Sequence, residues 1–292
     1  MGTRYSAQCY AGHDLDRALL ADALDRAVQA VDQDMSNWKA ASDLTRLNLA
    51  APDAWVPISA NLAAVLARAI EIGQESGNAF NVDMGDVVSR WGFGPVAADA
   101  PSAAVMPPAR PRQPVDALLE VDVARCRARK RAPVALDLCG IAKGFGVDEL
   151  GRVMDRHGIE SWLVGIDGEL RARGKKPSNA RWAIAIERPE DDRREPLSVI
   201  ELTDVAIATS GDYRRWREYD GQRVSHTMDP RTGAPLNNGV ASVTVLARTC
   251  MDADAYATAL MVLGVEEGVK LASRKRLDAL FLVREGEGLR AV

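Results

Sequence analysis

Several protein classes are excluded by what this sequence lacks. It holds four cysteines in 292 residues, Cys9, Cys126, Cys139 and Cys250. They stand far apart, with no C-x-x-C pair and no zinc-like spacing, so no disulfide framework is expected and the thiols read as reduced and mostly buried. Only three histidines are present, His13, His157 and His226, too few for a histidine-rich metal cluster. No uninterrupted apolar stretch approaches the roughly 18–20 residues of a membrane span; the candidate at residues 60–70 is broken by Asn61 and Arg68. The first residues show neither a basic region nor an apolar core, so no secretory leader is expected in this sequence. Charge of one sign is not in excess: 37 basic against 41 acidic residues give a net charge of −4, which argues against a nucleic-acid-coating role. Neither a Walker loop nor G-x-G-x-x-G occurs.

What is present is ordinary globular composition, 47% apolar and 27% charged, so whole-chain disorder is excluded. At roughly 150 residues per domain, the length allows one large domain or two small ones. Residues 95–114 are rich in Pro, Ala and Arg and read as an extended surface connection, either between two lobes or within one domain. Leu20, Leu24, Val28 and Val31 mark one amphipathic helix. Leu62, Leu66 and Ile70 mark a second, capped by Ser59 and ending before Gly73. Between them, residues 35–48 read as a polar loop rich in turn formers. Further helices are expected over 145–157, stopped by Gly158, and 252–263, stopped by Gly264. Strands are expected over 182–186, 240–246 and 277–283, with turns at 177–179 and 229–233. Helices and hairpin-like strands alternate without βαβ regularity, which predicts an α+β fold rather than a doubly wound one. No internal repeat is evident.

Four segments hold residue types suited to chemistry. In 135–144 an apolar run reads as a strand entering a small-residue turn, with a helix straight after. Unpaired N–H groups there would favour an anion such as phosphate, and Lys143 adds a point charge. Plain strand–glycine–helix turns look the same. In 251–258, Asp254 and Thr258 stand at i and i+4, on one helical face. With backbone carbonyls and water they make hard oxygen ligands suited to Mg²⁺, or Asp252 and Asp254 simply complement the helix dipole. In 224–233, His226 precedes an Asp-Pro turn and reads as a proton acceptor or as a hydrogen-bonded structural residue. In 77–94, glycines surround Phe80, Trp91 and Phe93, which suits a flat ligand or core packing equally. The basic cluster Arg171, Arg173, Lys175 and Lys176 reads as a solvated turn, the alternative being a guide for an acidic partner.

Together and in order, these segments resemble one family, the FAD:protein FMN transferases (the ApbE family), over nearly the whole chain. The matching blocks are Met1-Gly2-Thr3, Met35-Ser36-Asn37-Trp38, Gly85 through Trp91-Gly92-Phe93-Gly94, and Asp137-Leu138 to Lys143-Gly144. They continue with Ala206 to Tyr213, Ser225-His226 to Gly233, and Ala253 to Leu260. The resemblance implies one α+β domain over residues 1–292, with mixed, largely antiparallel sheets, flanking helices and two lobes around a flavin cleft. It implies an enzyme that cuts FAD at its diphosphate, attaches the FMN half to a threonine hydroxyl of a target flavoprotein and releases AMP. Expected partners are FAD and that flavoprotein, with no nucleic acid and no transmembrane segment. Many relatives are exported lipoproteins, whereas no export segment is visible here, which leaves the compartment open.

Carried onto this sequence, the resemblance implies Mg²⁺ held by Asp254, Thr258 and the main-chain carbonyl of Gly140, a position where relatives often have Ala or Thr. His226 is implied as the catalytic residue, activating the acceptor hydroxyl or positioning the phosphate. FAD contacts are implied at Met1, Trp38, Ala79, Phe80, Asn81, Asp137, Lys143 and Met228. Of these, Asp137 would accept a hydrogen bond, and Trp38 and Met228 would offer apolar or stacking surface. One block departs: the family's Phe-Asp-x-Thr-x-Gly-Pro stands here as Phe80-Asn81-Val82-Asp83-Met84-Gly85-Asp86. Asn81 keeps an acceptor, loses a charge and gains a donor, and Asp83 and Asp86 are expected to face the metal or solvent. Two alternatives share these residues: hydrolysis of FAD to FMN and AMP, and non-catalytic FAD binding.

Overall fold

The computed structural model describes residues 2–95, 111–190, 195–219, 221–286 and 288–292. Its helices form where the sequence spaces apolar side chains and offers caps. Helix α1 (Arg17–Met35) starts at Asp16, whose carboxylate accepts from the N–H groups of Ala18 and Leu19, and it buries Leu20, Leu24, Val31 and Met35. The segment 42–48, expected as loop, folds instead as α2 (Asp43–Leu49). Ser42 accepts from the Thr45 N–H, and Leu44 and Leu47, three residues apart, are fully buried. Cap and spacing outweigh turn-forming composition there. Helix α3 (Ala60–Glu75) begins at the expected Ser59 cap and runs two residues past Gly73. Helices α4 (Gly85–Arg90) and α5 (Val115–Leu118) are short. Helix α6 (Ala142–Arg156) starts three residues before the expected position. Helix α7 (Cys250–Lys275) is broken at Gly264, whose φ of 77° and ψ of −175° favour glycine, and resumes beyond it.

A seven-stranded sheet runs in the order β1 (Tyr5–Tyr10), β5 (Ser161–Ile166), β6 (Glu169–Arg173), β9 (Ala206–Gly211), β14 (Val240–Ala247), β15 (Asp278–Glu285) and β16 (Gly288–Ala291). Each neighbouring pair is antiparallel. A three-stranded sheet joins β2 (Val56–Pro57), β4 (Arg127–Lys130) and β3 (Leu119–Asp122). Three hairpins complete the set: β7 (Trp182–Glu187) with β8 (Pro196–Leu202), β10 (Trp216–Tyr219) with β11 (Gln222–Ser225), and β12 (Met228–Asp229) with β13 (Ala234–Pro235). The α+β class with largely antiparallel sheets is therefore as expected.

Two apolar clusters fix the helices on the large sheet. One gathers α2, α3, β14 and α7 through Leu44, Leu66, Val243, Val245 and Leu260. The other joins α1 and α6 to β5 through Leu24, Leu150, Met154 and Trp162. Each such side chain contributes about 1.5–3 kcal/mol when fully buried. Three further expectations are corrected. The apolar run 135–138 joins no sheet. Its N–H groups go to Asp83 Oδ1 (Ala135, 3.1 Å), Asn48 Oδ1 (Leu136, 2.8 Å) and the Val82 carbonyl (Asp137, 2.8 Å). Of the four free cysteines only Cys250 is buried, and Cys139 is exposed. Arg171 and Arg173 lie on β6 rather than in a turn, paired with Asp148 at 2.7 Å and Asp155 at 2.6 Å. Met1, and residues 96–110 of the Pro-rich stretch, lie outside the described residues. Among the described residues no helix is long and apolar enough to cross a membrane.

Candidate active site

Two helix starts meet here. Thr249 caps α7, its hydroxyl accepting from the Asp252 N–H at 3.1 Å. Buried Asp148 of α6 accepts from the Cys250 and Met251 N–H groups at 3.0 and 2.9 Å, satisfying donors that a helix start leaves unpaired. One turn on, Asp254 reaches back and accepts from the Gly144 N–H at 3.0 Å. The helices approach this closely because position 144 is glycine. A Cβ there would lie 2.2 Å from the Cys250 carbonyl oxygen and 2.8 Å from Asp254 Cβ. The N–H groups expected to be open to an anion at the start of α6 are thus partly occupied, and the anion is a carboxylate of the chain itself.

Asp254 is buried, and that burial, reinforced by the nearby Glu169 carboxylate, pushes its pKa up to about 7 against the opposing effects of Lys143 and the Gly144 N–H. The Lys143 ammonium touches Glu169 Oε1. Burial works against the lysine's charge, but Glu169 and Asp254 outweigh it and raise its pKa. Glu169 is itself buried, and its Oε2 meets no hydrogen-bond partner among the described residues. Two carboxylates facing one ammonium leave a negative surplus in a poorly solvated place, an environment suited to a cation.

Thr258, one turn beyond Asp254, places its Oγ1 3.1 Å from Ser210 Oγ on β9. Gly140 stands against it: a Cβ at 140 would lie 3.0 Å from Thr258 Oγ1 and 3.4 Å from the Phe80 ring. Asp254 and Thr258, one turn apart on α7, thereby stand near the turn that holds Gly140. Among the described residues no group of three or more His, Cys, Asp or Glu side chains is placed to hold a metal. A divalent cation at this carboxylate, hydroxyl and carbonyl would draw its remaining oxygens from ligand and water.

His226 follows β11. Its Nδ1 lies 2.9 Å from the Arg215 carbonyl oxygen, which can only accept, so Nδ1 bears the proton and Nε2 is left as acceptor. Burial, joined by the positive charges of Arg215 and Lys143, pushes its pKa down to about 4 in spite of that hydrogen bond, so the ring is neutral at pH 7. Phe93 stands edge-on to it, with ring centres 6.2 Å apart. Phe93 also packs with Met228 and Met84 in a small buried cluster.

The remaining residues implied by the resemblance divide in two groups. Asp137 accepts from the Cys139 N–H at 2.8 Å and from the Asn37 amide at 2.9 Å, tying the 35–38 loop to the turn before α6. Trp38 beside it is 69% exposed, an indole open to stacking. Ala79 and Phe80 are buried, with Phe80 against Gly140. Asn81 uses its amide within the chain: it donates to Asn78 Oδ1 and the Gln113 carbonyl and accepts from the Asp83 N–H. Asp83 does not face solvent as expected. It is buried 3.6 Å from Arg112, and burial pushes its pKa up to about 6. Asp86, partly exposed, pairs with the same guanidinium at 2.5 Å. Sequence reasoning assigned no role to Glu169, Ser210 or Asn37. Ser210 and Asn37 lie inside blocks that were recognised, whereas Glu169 had no spacing signal at all.

Fold and site define an α+β protein with an oxygen-lined, electronegative centre flanked by a lysine and a neutral histidine. The chain belongs to the ApbE family, whose profile matches residues 1–281. It is 36% identical over 294 residues to the FAD:protein FMN transferase of Vibrio cholerae, covering 99% of this chain and 87% of that protein. To the FAD:protein FMN transferase of Haemophilus influenzae it is 35% identical over 273 residues, covering 91% and 79%. Among solved structures, the flavin transferase ApbE from Vibrio cholerae superposes with a TM-score of 0.87 at 35% identity, over 100% of this chain and 94% of that one. The apo form of Pseudomonas stutzeri flavinyl transferase ApbE superposes at 0.84 and 32% identity, over 99% and 90%.

Proposed function

We propose that this chain transfers the FMN half of FAD to a threonine hydroxyl of a target flavoprotein and releases AMP. The observation that carries this reading is the meeting of Asp254, Thr258 and Gly140 beside Lys143 and its buried carboxylate partner. Mg²⁺ bound to those three oxygens would neutralise diphosphate charge and stabilise charge gathering on the leaving phosphate. Lys143, kept charged by Glu169 and Asp254, offers its ammonium to a phosphate oxygen. Asp137, Ala79, Phe80, Trp38 and Met228 would contact the flavin nucleotide, with exposed Trp38 offering a stacking face.

His226 Nε2 accepts the proton of the threonine hydroxyl as its oxygen attacks the FMN-side phosphorus. The new bond joins Oγ to that phosphorus. The bond that breaks joins the same phosphorus to the bridging oxygen, which leaves with AMP and keeps the electron pair. A pKa near 4, lowered first by burial and then by the positive charges of Arg215 and Lys143, makes a weak base, and the share that the charges supply can be offset. An arriving diphosphate offsets those charges and strengthens the imidazole when ligand is bound.

The test supplies FAD, MgCl₂ and a recombinant flavoprotein whose FMN is attached through threonine, and follows protein mass and AMP together. One FMN gained per acceptor, matched by one AMP, is the expected result. AMP and free FMN with no mass gain would assign hydrolysis instead, and tight FAD binding without AMP would reject both reactions.

A further inference from the structure

Transfer to a protein requires a place for a second polypeptide, and resting on the reading above we propose that it lies on the β10–β11 hairpin. There the acceptor flavoprotein binds as an extended segment along the face that bears His226. An apolar side chain enters a groove at Trp91 and Tyr219, and an acidic residue meets Arg217.

The hairpin places these groups by strand alternation. Arg217 stands opposite Val224, and Tyr219 opposite Gln222. The His226 N–H donates to the Arg215 carbonyl at 3.2 Å, which extends the ladder by one pair. Residues opposite one another share a face, so Arg215, Arg217, Tyr219, Val224 and His226 lie on one side. Ring contacts agree with this: the Arg217 guanidinium sits 5.7 Å from the centre of Phe93, the ring that also faces His226, and Trp91 meets Tyr219 at 5.3 Å. A groove of about 380 Å³ opens beside them, lined by Trp91, Tyr219, Arg223, Val224, Pro235, Leu236 and Asn237. At about 3.3 Å per residue, it lies two to four strand positions from His226. An extended acceptor with its hydroxyl at His226 therefore sets a neighbouring side chain, two to four residues away, over the groove.

Charge selects the partner's flank. Arg215 and Arg217 are exposed, and neither meets a carboxylate among the described residues. Glu218 is on the opposite face, across from Arg223, which lies 4.8 Å over the Trp216 ring, and Asp220, in the turn, lies outside the described residues. On a chain of net charge −4, this is a local cationic patch beside an aromatic groove. Trp, Tyr and Arg are the residues that dominate protein interfaces, and a cationic rim selects an acidic segment.

The test measures steady-state transfer by Arg217→Glu and Tyr219→Ala to the same recombinant flavoprotein, varying acceptor at saturating FAD and then FAD at saturating acceptor. Each variant is expected to raise the acceptor KM about tenfold or more while the FAD KM stays within about twofold. An acceptor whose nearest acid beside the threonine is changed to lysine should recover most of the loss in Arg217→Glu. If the wild type transfers FMN and both variants keep its acceptor KM, or raise both KM values alike, the docking assignment fails alone. If the wild type forms no FMN-protein, the transfer reading fails and takes docking with it. A wild-type dimer abolished by Tyr219→Ala, with acceptor kinetics unchanged, would give this face to a second copy of the chain and overturn the proposal.

Discussion

At the scale of single residues, Asp254 concentrates the conflict between stability and function. Its folded pKa of about 7 exceeds the value of 3.8 for an unhindered aspartate. Between those limits the folded state binds the extra proton, so this group's contribution to stability declines as pH rises toward and through about 7. Asp254→Asn keeps an oxygen for the Gly144 N–H and removes the charge. Its melting temperature in the absence of metal should exceed that of the wild type at pH 8 by several degrees, a gain of roughly 1–3 kcal/mol, and the difference should shrink toward pH 5. A lower melting temperature at pH 8 would contradict the charge conflict. With Mg²⁺ and FAD the wild type should gain stability and the variant should not. His226→Ala is expected to slow transfer by about 10²–10⁴-fold while FAD binding persists, read by single-turnover AMP release and by flavin fluorescence titration. Asp254, Thr258 and His226 were legible because motif and helical spacing mark them. Glu169 was not, since only the pairing of β5 with β6 carries it to Lys143.

At the scale of elements, the site depends on how closely α6 crosses α7. Gly144→Ala drives a methyl group into the Cys250 carbonyl, 2.2 Å away. The helices must part, at a cost of about 1–3 kcal/mol, and Asp254 loses its place against the Gly144 N–H. A lower melting temperature together with a raised Mg²⁺ requirement for turnover is expected; an unchanged Mg²⁺ requirement would separate the crossing from the site. Helices α1 and α3 were readable from apolar spacing, α3 also from its Ser59 cap; α6 and α7 were readable from their glycine stops, and β14 from its alternation. Helix α2 was missed because its two buried leucines, Leu44 and Leu47, sit among turn formers, although the Ser42 cap was present. The run 135–138 misled in the opposite direction: apolar and extended, it bonds to side chains of Asn48 and Asp83 instead of a ladder, a partner choice that no periodicity encodes.

At the scale of the whole molecule, residues far apart in sequence converge on one charge balance, with α6 giving Lys143, β6 giving Glu169 and α7 giving Asp254. The meeting of Lys143 with Asp254 was legible only through the order of the family's blocks along the chain, and the arrival of Glu169 was not, because no local pattern reports which elements meet. It sets the pH behaviour of the enzyme. At limiting Mg²⁺, kcat/KM should fall on the acid side through about pH 7, because protonation removes the side-chain charge from the oxygen set. Higher Mg²⁺ should move that limb to lower pH, since metal and proton compete for Asp254. A limb insensitive to Mg²⁺ would place the titrating group elsewhere. The most direct test of the site is a crystal grown with FAD and MnCl₂, with diffraction recorded for the anomalous signal of manganese. The expected result is one peak bounded by the Asp254 carboxylate, Thr258 Oγ1, the Gly140 carbonyl and the FAD diphosphate. Manganese bound away from those three protein oxygens, with the diphosphate seated without it, would contradict the account.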